Sequence, residues 1–260
     1  MKFMTTTLAA VCLFSACAAN ANSPWTVELT PYIWAAANKG STGAFIETDS
    51  GERFESVTDV DISFQDLADH LEVGTMFNLS AHNGDWLLFT EFTYLKVTDD
   101  QSVASGPTGN VDVDGELEIK GSLWDAGVGY RLFETQNVIG FGYVGARYLD
   151  LEADLALVSD LGGTITQTTV GDDFVDMFVG VHMQYNFNNG LRLQGRAEVG
   201  GFDDEPSENQ MVNITLHHQL SRQWSMKYFY RYMTIDYADN GFIYDMEVSG
   251  PGIGITYLFD

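Results

Sequence analysis

Basic residues are scarce in this chain: 12 Lys and Arg stand against 37 Asp and Glu in 260 residues, a formal net charge of −25. So acidic a chain cannot replace the counterions of a phosphate backbone, which excludes nucleic acid as a partner. Cysteine is nearly absent. Cys12 and Cys17 are the two present, and both lie in a segment expected to be removed. The processed chain is therefore expected to hold no disulfide, no reactive thiol and no Cys metal site. Beyond residue 21 no apolar run approaches the ~18 residues that a membrane helix requires. A phosphate-binding Gly loop, an HExxH helix and a nucleophile elbow are all missing. Yet 45% of the residues are apolar, too many for a disordered acidic chain. What is left is one β-rich domain with an acidic exterior.

Residues 1–21 read as a secretory signal. Lys2 supplies the positive start, Leu8 to Phe14 the apolar centre, and Ala19-Asn20-Ala21 a small-residue cleavage site. A competing lipoprotein-type box, Phe14-Ser15-Ala16-Cys17, is a poorer match because Phe is unusual at its first position. The expected organisation is a signal peptide over 1–21 and a single domain over 22–260. An exported protein without disulfides must gain stability in another way, and closing a sheet into a barrel is one.

The dominant pattern is a period of two. Val175, Met177, Val179, Val181, Met183, Tyr185 and Phe187 alternate with Asp176, Phe178, Gly180, His182, Gln184 and Asn186. Trp224, Met226, Tyr228, Tyr230 and Tyr232 alternate with Ser225, Lys227, Phe229, Arg231 and Met233. Successive strand residues point to opposite faces, so each segment has one apolar and one polar side. Ten strands fit, over 25–37, 72–82, 86–98, 115–133, 138–155, 170–187, 191–202, 209–220, 224–237 and 242–259. Eight or twelve strands would preserve most of the pattern. Asn83-Gly84-Asp85, 134–137, Asn188-Asn189-Gly190 and Ser221-Arg222-Gln223 are tight turns, whereas 38–71, 99–114 and 156–169 are read as longer loops. Short turns on one side and longer loops on the other predict an antiparallel transmembrane β-barrel. An even strand count puts both termini at the short-turn, periplasmic side, with the acidic loops outward.

Three features separate this reading from a soluble sandwich. First, six bases share the polar face: Arg131, Arg147, Arg192, Arg196, Lys227 and Arg231. Glu28, Glu91, Asp125, Asp176 and Glu198 face them, with His182, as a lumen network of paired charges; unpaired charges there would cost several kcal/mol each. In the fifth strand Ile139, Phe141 and Tyr143 compete with Val144, Ala146 and Tyr148 for the lipid face. Arg147 is placed inward, since arginine against hydrocarbon is the costlier choice. Second, Trp25, Trp86 and Trp224 open strands and Tyr257 and Phe259 close one on the same side, as an aromatic girdle does. Third, Gly252 to Phe259 alternates apolar residues to a near-terminal Phe, as outer-membrane assembly substrates do, although Asp260 follows. Acidic alternations at Glu116/Glu118, Asp150/Glu152/Asp154 and Asp245/Glu247 are expected to project beyond the membrane.

The stretches PYIWAA, VDISFQDLADHLEVG, GARYLDLEA, YFYRYMTIDY and GPGIGITYLF together resemble a group of small, largely uncharacterised, porin-like bacterial outer-membrane β-barrel proteins. The resemblance runs along nearly all of the chain beyond residue 21. It implies an integral outer-membrane protein of a Gram-negative bacterium and carries no catalytic residues.

His182 and His217 point inward within reach of Asp176 or Glu198, but no Ser-His or carboxylate pair is placed at the outer mouth. Lumen hydrogen bonding is the preferred role, and no catalytic, cofactor or metal residues are assigned. Ser63-Phe64-Gln65-Asp66 fits a capping box opening a short helix to about His70, packed on the rim in preference to constricting the pore. Asp99-Asp100, Asp112/Asp114, Asp172-Asp173 and Asp203-Asp204-Glu205 match no calcium loop and are read as solvated, not as bridges to lipopolysaccharide phosphates. Inward Tyr32, Trp34, Phe178 and Phe229 argue against a wide porin. The expectation is a monomeric barrel that supports the envelope or passes small solutes. Its partners would be outer-membrane lipid, lipopolysaccharide and, during biogenesis, the barrel assembly machinery. An outer-membrane enzyme acting on lipid or peptide, or a periplasmic β-barrel lipoprotein, is the alternative.

Overall fold

The computed structural model of the protein describes residues 25–47, 53–105, 112–159, 163–187, 189–202, 207–239 and 241–259. The expected signal over 1–21 and the acids Asp203, Asp204 and Glu205 lie outside the described residues, as do the side chains of Asp99, Asp100, Asp112, Asp114 and Glu116. Twelve strands form one antiparallel sheet. They are β1 (Thr26–Trp34), β2 (Ala37–Glu47), β3 (Arg53–Ile62), β4 (Leu71–His82), β5 (Trp86–Ser105), β6 (Asp112–Glu134), β7 (Val138–Ser159), β8 (Gly163–Asn186), β9 (Leu191–Gly200), β10 (Ser207–Gln219), β11 (Trp224–Asp239) and β12 (Phe242–Phe259). Among the described residues one helix, α1 (Phe64–Asp69), precedes β4.

β1 and β4 to β12 pair in sequence, and β12 returns to β1, closing a ten-strand barrel. The closing register runs from Val27 opposite Phe259 to Trp34 opposite Gly252. β2 continues along β12 in that same register, with Ala37 opposite Ser249, and Ala35 N donates to Pro251 O across the join at 2.8 Å. β1 and β2 are thus one long strand. On its other edge β4 pairs only as far as Pro31 opposite Phe77. Residues 71–76 pair with β5 alone; the N–H that Pro31 lacks is missing from the β12 ladder, between Leu29 opposite Tyr257 and Tyr32 opposite Gly254. Beyond that point β3 takes the place beside β2.

This corrects the reading of 38–71 as a loop with a helix: most of it is a β-hairpin, and α1 follows. The Gly-, Ser- and Thr-rich stretch Asn38–Gly43 has no apolar period; its pairing is imposed by the length of β12. Ser63 and Asp66 form the capping box around α1, and α1 buries no residue and stays out of the interior. Ser63 also holds the Asp66 carboxyl below its ordinary pKa by hydrogen bonding. The expected loops 99–114 and 156–169 are likewise mostly strand, because β5 to β8 run on for 20 to 24 residues each. The tight turns are held locally. Gly84 and Gly190 take φ values of 90° and 79°, and Asn83 Oδ1 accepts from Trp86 N at 2.8 Å.

Strand polarity reverses at one level around the barrel. Along β11, Trp224 to Tyr232 put apolar side chains outward while Ser225, Lys227 and Arg231 point in. Past Arg231 the inward residues are Met233, Ile235 and Tyr237, all buried, and the outward ones are Thr234 and Asp236. β7 changes from inward Arg147 and outward Val144 to inward Leu149 and outward Asp150. β8 changes between Val175 and Asp173 outside and between Asp176 and Phe174 inside, and β12 between Ile253 and Glu247 outside. Leu149 lies opposite Phe174, and Met233 opposite Val248, so the switch is continuous from strand to strand. On the turn side of this level the barrel is apolar outside, as hydrocarbon requires; beyond it, the barrel has an apolar inside, as water requires. From Trp224 to Tyr232 there are nine residues, about the length of a tilted membrane strand.

Candidate functional site

The charged interior is built by inward positions of β1 and of the seven neighbouring strands β5 to β11. Glu91, Asp125, Arg147 and Asp176 are successive cross-strand neighbours on β5, β6, β7 and β8. The fifth strand resolves as expected: Arg147 points inward and is 1% exposed, with Phe141 and Tyr143 beside it. Its guanidinium donates Nε and Nη2 to the two Asp125 oxygens at 2.9 and 2.8 Å. Nη2 also reaches Glu198 Oε2 at 2.9 Å, and Nη1 donates to Asn209 Oδ1 at 3.1 Å. Asn209 Nδ2 passes the chain on to Asp176 at 2.8 Å. Every nitrogen of one buried cation is thereby satisfied across the barrel, the condition for burying charge at tolerable cost.

A second group surrounds Glu91. Arg231 Nη2 and the Tyr32 hydroxyl both donate to Glu91 Oε1, the latter at 2.7 Å, and Arg196 Nη1 donates to Oε2 at 3.2 Å. Arg196 also meets Glu198 Oε1 at 2.5 Å, where Tyr143 donates at 2.8 Å. The guanidinium planes lie on rings: Arg196 is 4.5 Å from the Phe89 centroid and Arg231 is 4.9 Å from that of Trp34. Those rings require room on neighbouring strands. A Cβ at Gly252 would fall 2.0 Å from the Phe229 ring, and one at Gly145 2.4 Å from that of Phe178.

The third group lies nearest the turn end. Arg192 Nη2 donates to Glu28 at 3.0 Å and to His217 Nδ1 at 2.8 Å. His217 Nε2 is 2.5 Å from Gln194 Oε1. An acceptor on one side and a donor on the other fix His217 as the neutral Nε2–H tautomer. Lys227 Nζ donates to Thr30 at 2.9 Å and lies 3.5 Å from Glu28. This group lines a cavity of about 120 Å³, and a second of about 220 Å³ shares Glu28 and Arg192 with it. Gly190, Ser221 and Arg222 line the second, so the space opens at the turn end.

Eleven of the twelve sequence-assigned charges are brought together: Glu28, Glu91, Asp125, Arg147, Asp176, His182, Arg192, Arg196, Glu198, Lys227 and Arg231 all line or fill the interior. Arg131 is the exception. It keeps the β6–β7 register, opposite Phe141, but stands at the turn end of β6, where it pairs with Asp85 at 2.6 Å and with Glu134. Tyr143, Asn209 and Gln194 were missed; their type gives no signal until the partner across the barrel is known. The aromatic residues cluster at the turn end as edge-on pairs: Trp86 with Tyr130 at 5.1 Å, and Trp224 with Tyr257 and Tyr257 with Phe259 at 4.9 Å. Trp25 stands just before β1 on the same side.

Beyond the level of reversal, the outer face carries charge. Lys96 pairs with Glu72 and Glu118 at 2.7 and 2.8 Å, and Lys120 with Glu118 and Glu152 at 2.6 and 3.0 Å. Hydrogen bonds from Lys120 and Lys96 hold the Glu118 carboxyl below its ordinary pKa. Asp150 and Asp236 move the other way: partial burial raises both, reinforced by Asp173 for Asp150 and by Asp245 for Asp236.

No family model and no curated protein sequence matches the chain. Solved structures do. The outer membrane protease OmpT from Escherichia coli superposes with a TM-score of 0.54 at 9% identity, over 92% of this chain and 98% of that one. The translocator domain of the autotransporter NalP from Neisseria meningitidis gives 0.47 at 13% identity over 98% of both chains. Ail, the attachment invasion locus protein of Yersinia pestis, gives 0.36 at 13% identity, over 90% of this chain and 98% of that chain. At such identities the likeness is one of fold: this chain has the fold of the bacterial outer-membrane β-barrels.

Proposed function

We propose that this bacterial outer-membrane-type barrel is a closed, non-conducting envelope protein. It sits in the outer membrane of a Gram-negative cell with its loop end outward and both termini in the periplasm. Lipid and lipopolysaccharide cover its apolar belt, and the barrel assembly machinery inserts it as a monomer. Of the two roles expected of it, a structural one is supported over passage of solutes. The observation that carries this is the filled cross-section. Arg147 and its three partners span the interior, and the stacked rings of Phe174 and Tyr237, 3.9 Å apart, lie beyond them with Met211, Ile235 and Met246. A side-chain-filled interior is the expected state of a small barrel. The hydrolase reading has less support, since His82, His182 and His217 face the turn-end cavities and not the loop end.

Planar-bilayer recording tests the proposal, with reconstitution verified by faster migration of the unboiled protein. The expected trace is silent. Reproducible conductance steps from the wild-type protein would overturn it.

A further inference from the structure

The interior charge is not evenly spread. Deep in the barrel Arg147 is served by two carboxylates, Asp125 and Glu198, with Asp176 directly opposite it on the next strand. At the turn end the ratio reverses: Arg192 and Lys227 share one carboxylate, Glu28. His217, fixed neutral, adds nothing. The first of the two cavities is lined by four cations, Arg192, Arg196, Lys227 and Arg231, against two carboxylates, Glu28 and Glu91. Arg192 makes its contacts through Nη2 alone, so among the described residues Nη1 and Nε have no protein partner. Its side chain keeps 22% of its exposure, facing the shared wall of the two cavities. Low-dielectric walls around such a surplus focus its field instead of letting water screen it.

We propose that the turn-end cavity is a binding site for a small oxyanion of the phosphate class. The unused edge of the Arg192 guanidinium and the Lys227 ammonium hold it. A planar N–H fork beside a compact point charge is a common arrangement for phosphate oxygens. In a chain of net charge −25, this pocket is where an anion finds cations in excess and a wall that excludes competing solvent. Access from the periplasm rests on the orientation proposed above; the site itself does not.

Titration calorimetry of the folded protein with inorganic phosphate, in a phosphate-free detergent, tests it. Saturable binding at one site per chain is expected. Arg192→Gln and Lys227→Gln each weaken it about tenfold, the worth of one charge-assisted hydrogen bond. Either variant leaves Glu28 one cation, so both should fold, which heat-modifiable migration verifies. Glu28→Gln should tighten binding several-fold by removing the competing carboxylate, an outcome that a merely structural role for these residues would not give. Lys96→Gln, at the far end, should leave the affinity unchanged. In nanodiscs of phosphatidylglycerol a kept affinity identifies a free anion, and an affinity lost to competition identifies a lipid headgroup as the occupant. No saturable heat, or equal loss in the Lys96 variant, would overturn the proposal. A barrel that conducts yet binds phosphate would sink only the closed-barrel reading, and a silent barrel that binds none would sink only this one.

Discussion

The two halves of the barrel interior solve opposite problems with the same alternating strand. Toward the turn end the wall is wrapped in apolar side chains, so the inside is where polar groups collect; toward the loop end the wall carries Asp150, Glu152 and Glu247, so the inside is where apolar groups collect. The first half is partly hollow and held by directional charge pairs. The second is packed like the core of a soluble protein around Tyr32, Trp34, Met211, Met233 and Ile235. The contrast shows that the surrounding solvent, not the strand, decides which face is the core. It also locates the boundary of the apolar solvent within one or two residues on β7, β8 and β11.

The comparison breaks most severely at Arg147. Arg147→Ala leaves Asp125 and Glu198 buried without their cation and should cost about 3–5 kcal/mol, read as a fall in the urea midpoint of the heat-modifiable band. A variant as stable as the wild type would show that the network is incidental. Moving one cation across the level of reversal sharpens the contrast further. Val179→Lys, on the lipid face of β8, should cost about 2–4 kcal/mol. Thr234→Lys, outward on β11 beyond the level and opposite Glu247, should stay within about 0.5 kcal/mol. Equal effects from the two would move the boundary. The smallest effect is at Asp150. Its carboxyl is raised by burial and by Asp173 and Glu152, so the folded state binds its proton more readily than the unfolded one. Ionisation there opposes folding: the penalty is absent below the unfolded pKa and complete once pH exceeds the raised folded value. Asp150→Asn should therefore stabilise at neutral pH, and the gain should shrink as pH falls through the carboxylate range.

Much of this was legible in the residues. The outward run Trp224, Met226, Tyr228, Tyr230, Tyr232 fixes the lipid face of β11 without knowledge of its neighbours, and a base on the opposite face at Lys227 and Arg231 announces an enclosed polar interior. The same strand hid the reversal. Met233, Ile235 and Tyr237 continue the parity of Arg231, so a single-face count sees a polar side ending, not a core beginning. The hairpin of β2 and β3 was illegible for a different reason: β2 is specified by a partner about two hundred residues away and β3 by β2, not by their own pattern. Arg131 follows the correct parity yet misses the network, because it stands at the turn end of β6 within reach of Asp85 and Glu134, and alternation says which face a residue takes but not which partner it meets. The pairings inside the lumen depend on which strands face each other across it, and alternation is silent on that.

β12 has one more consequence, for the order of events. It borders β11 on one edge along its whole length, and on the other it receives both β1 and β2, so Val27 waits for Phe259. Contacts that far apart along a chain form late and slowly. Until the hem is stitched, the ribbon from β4 to β11 has two raw margins and no inside. Charges that later neutralise one another across the lumen must spend that interval in water or against an escort.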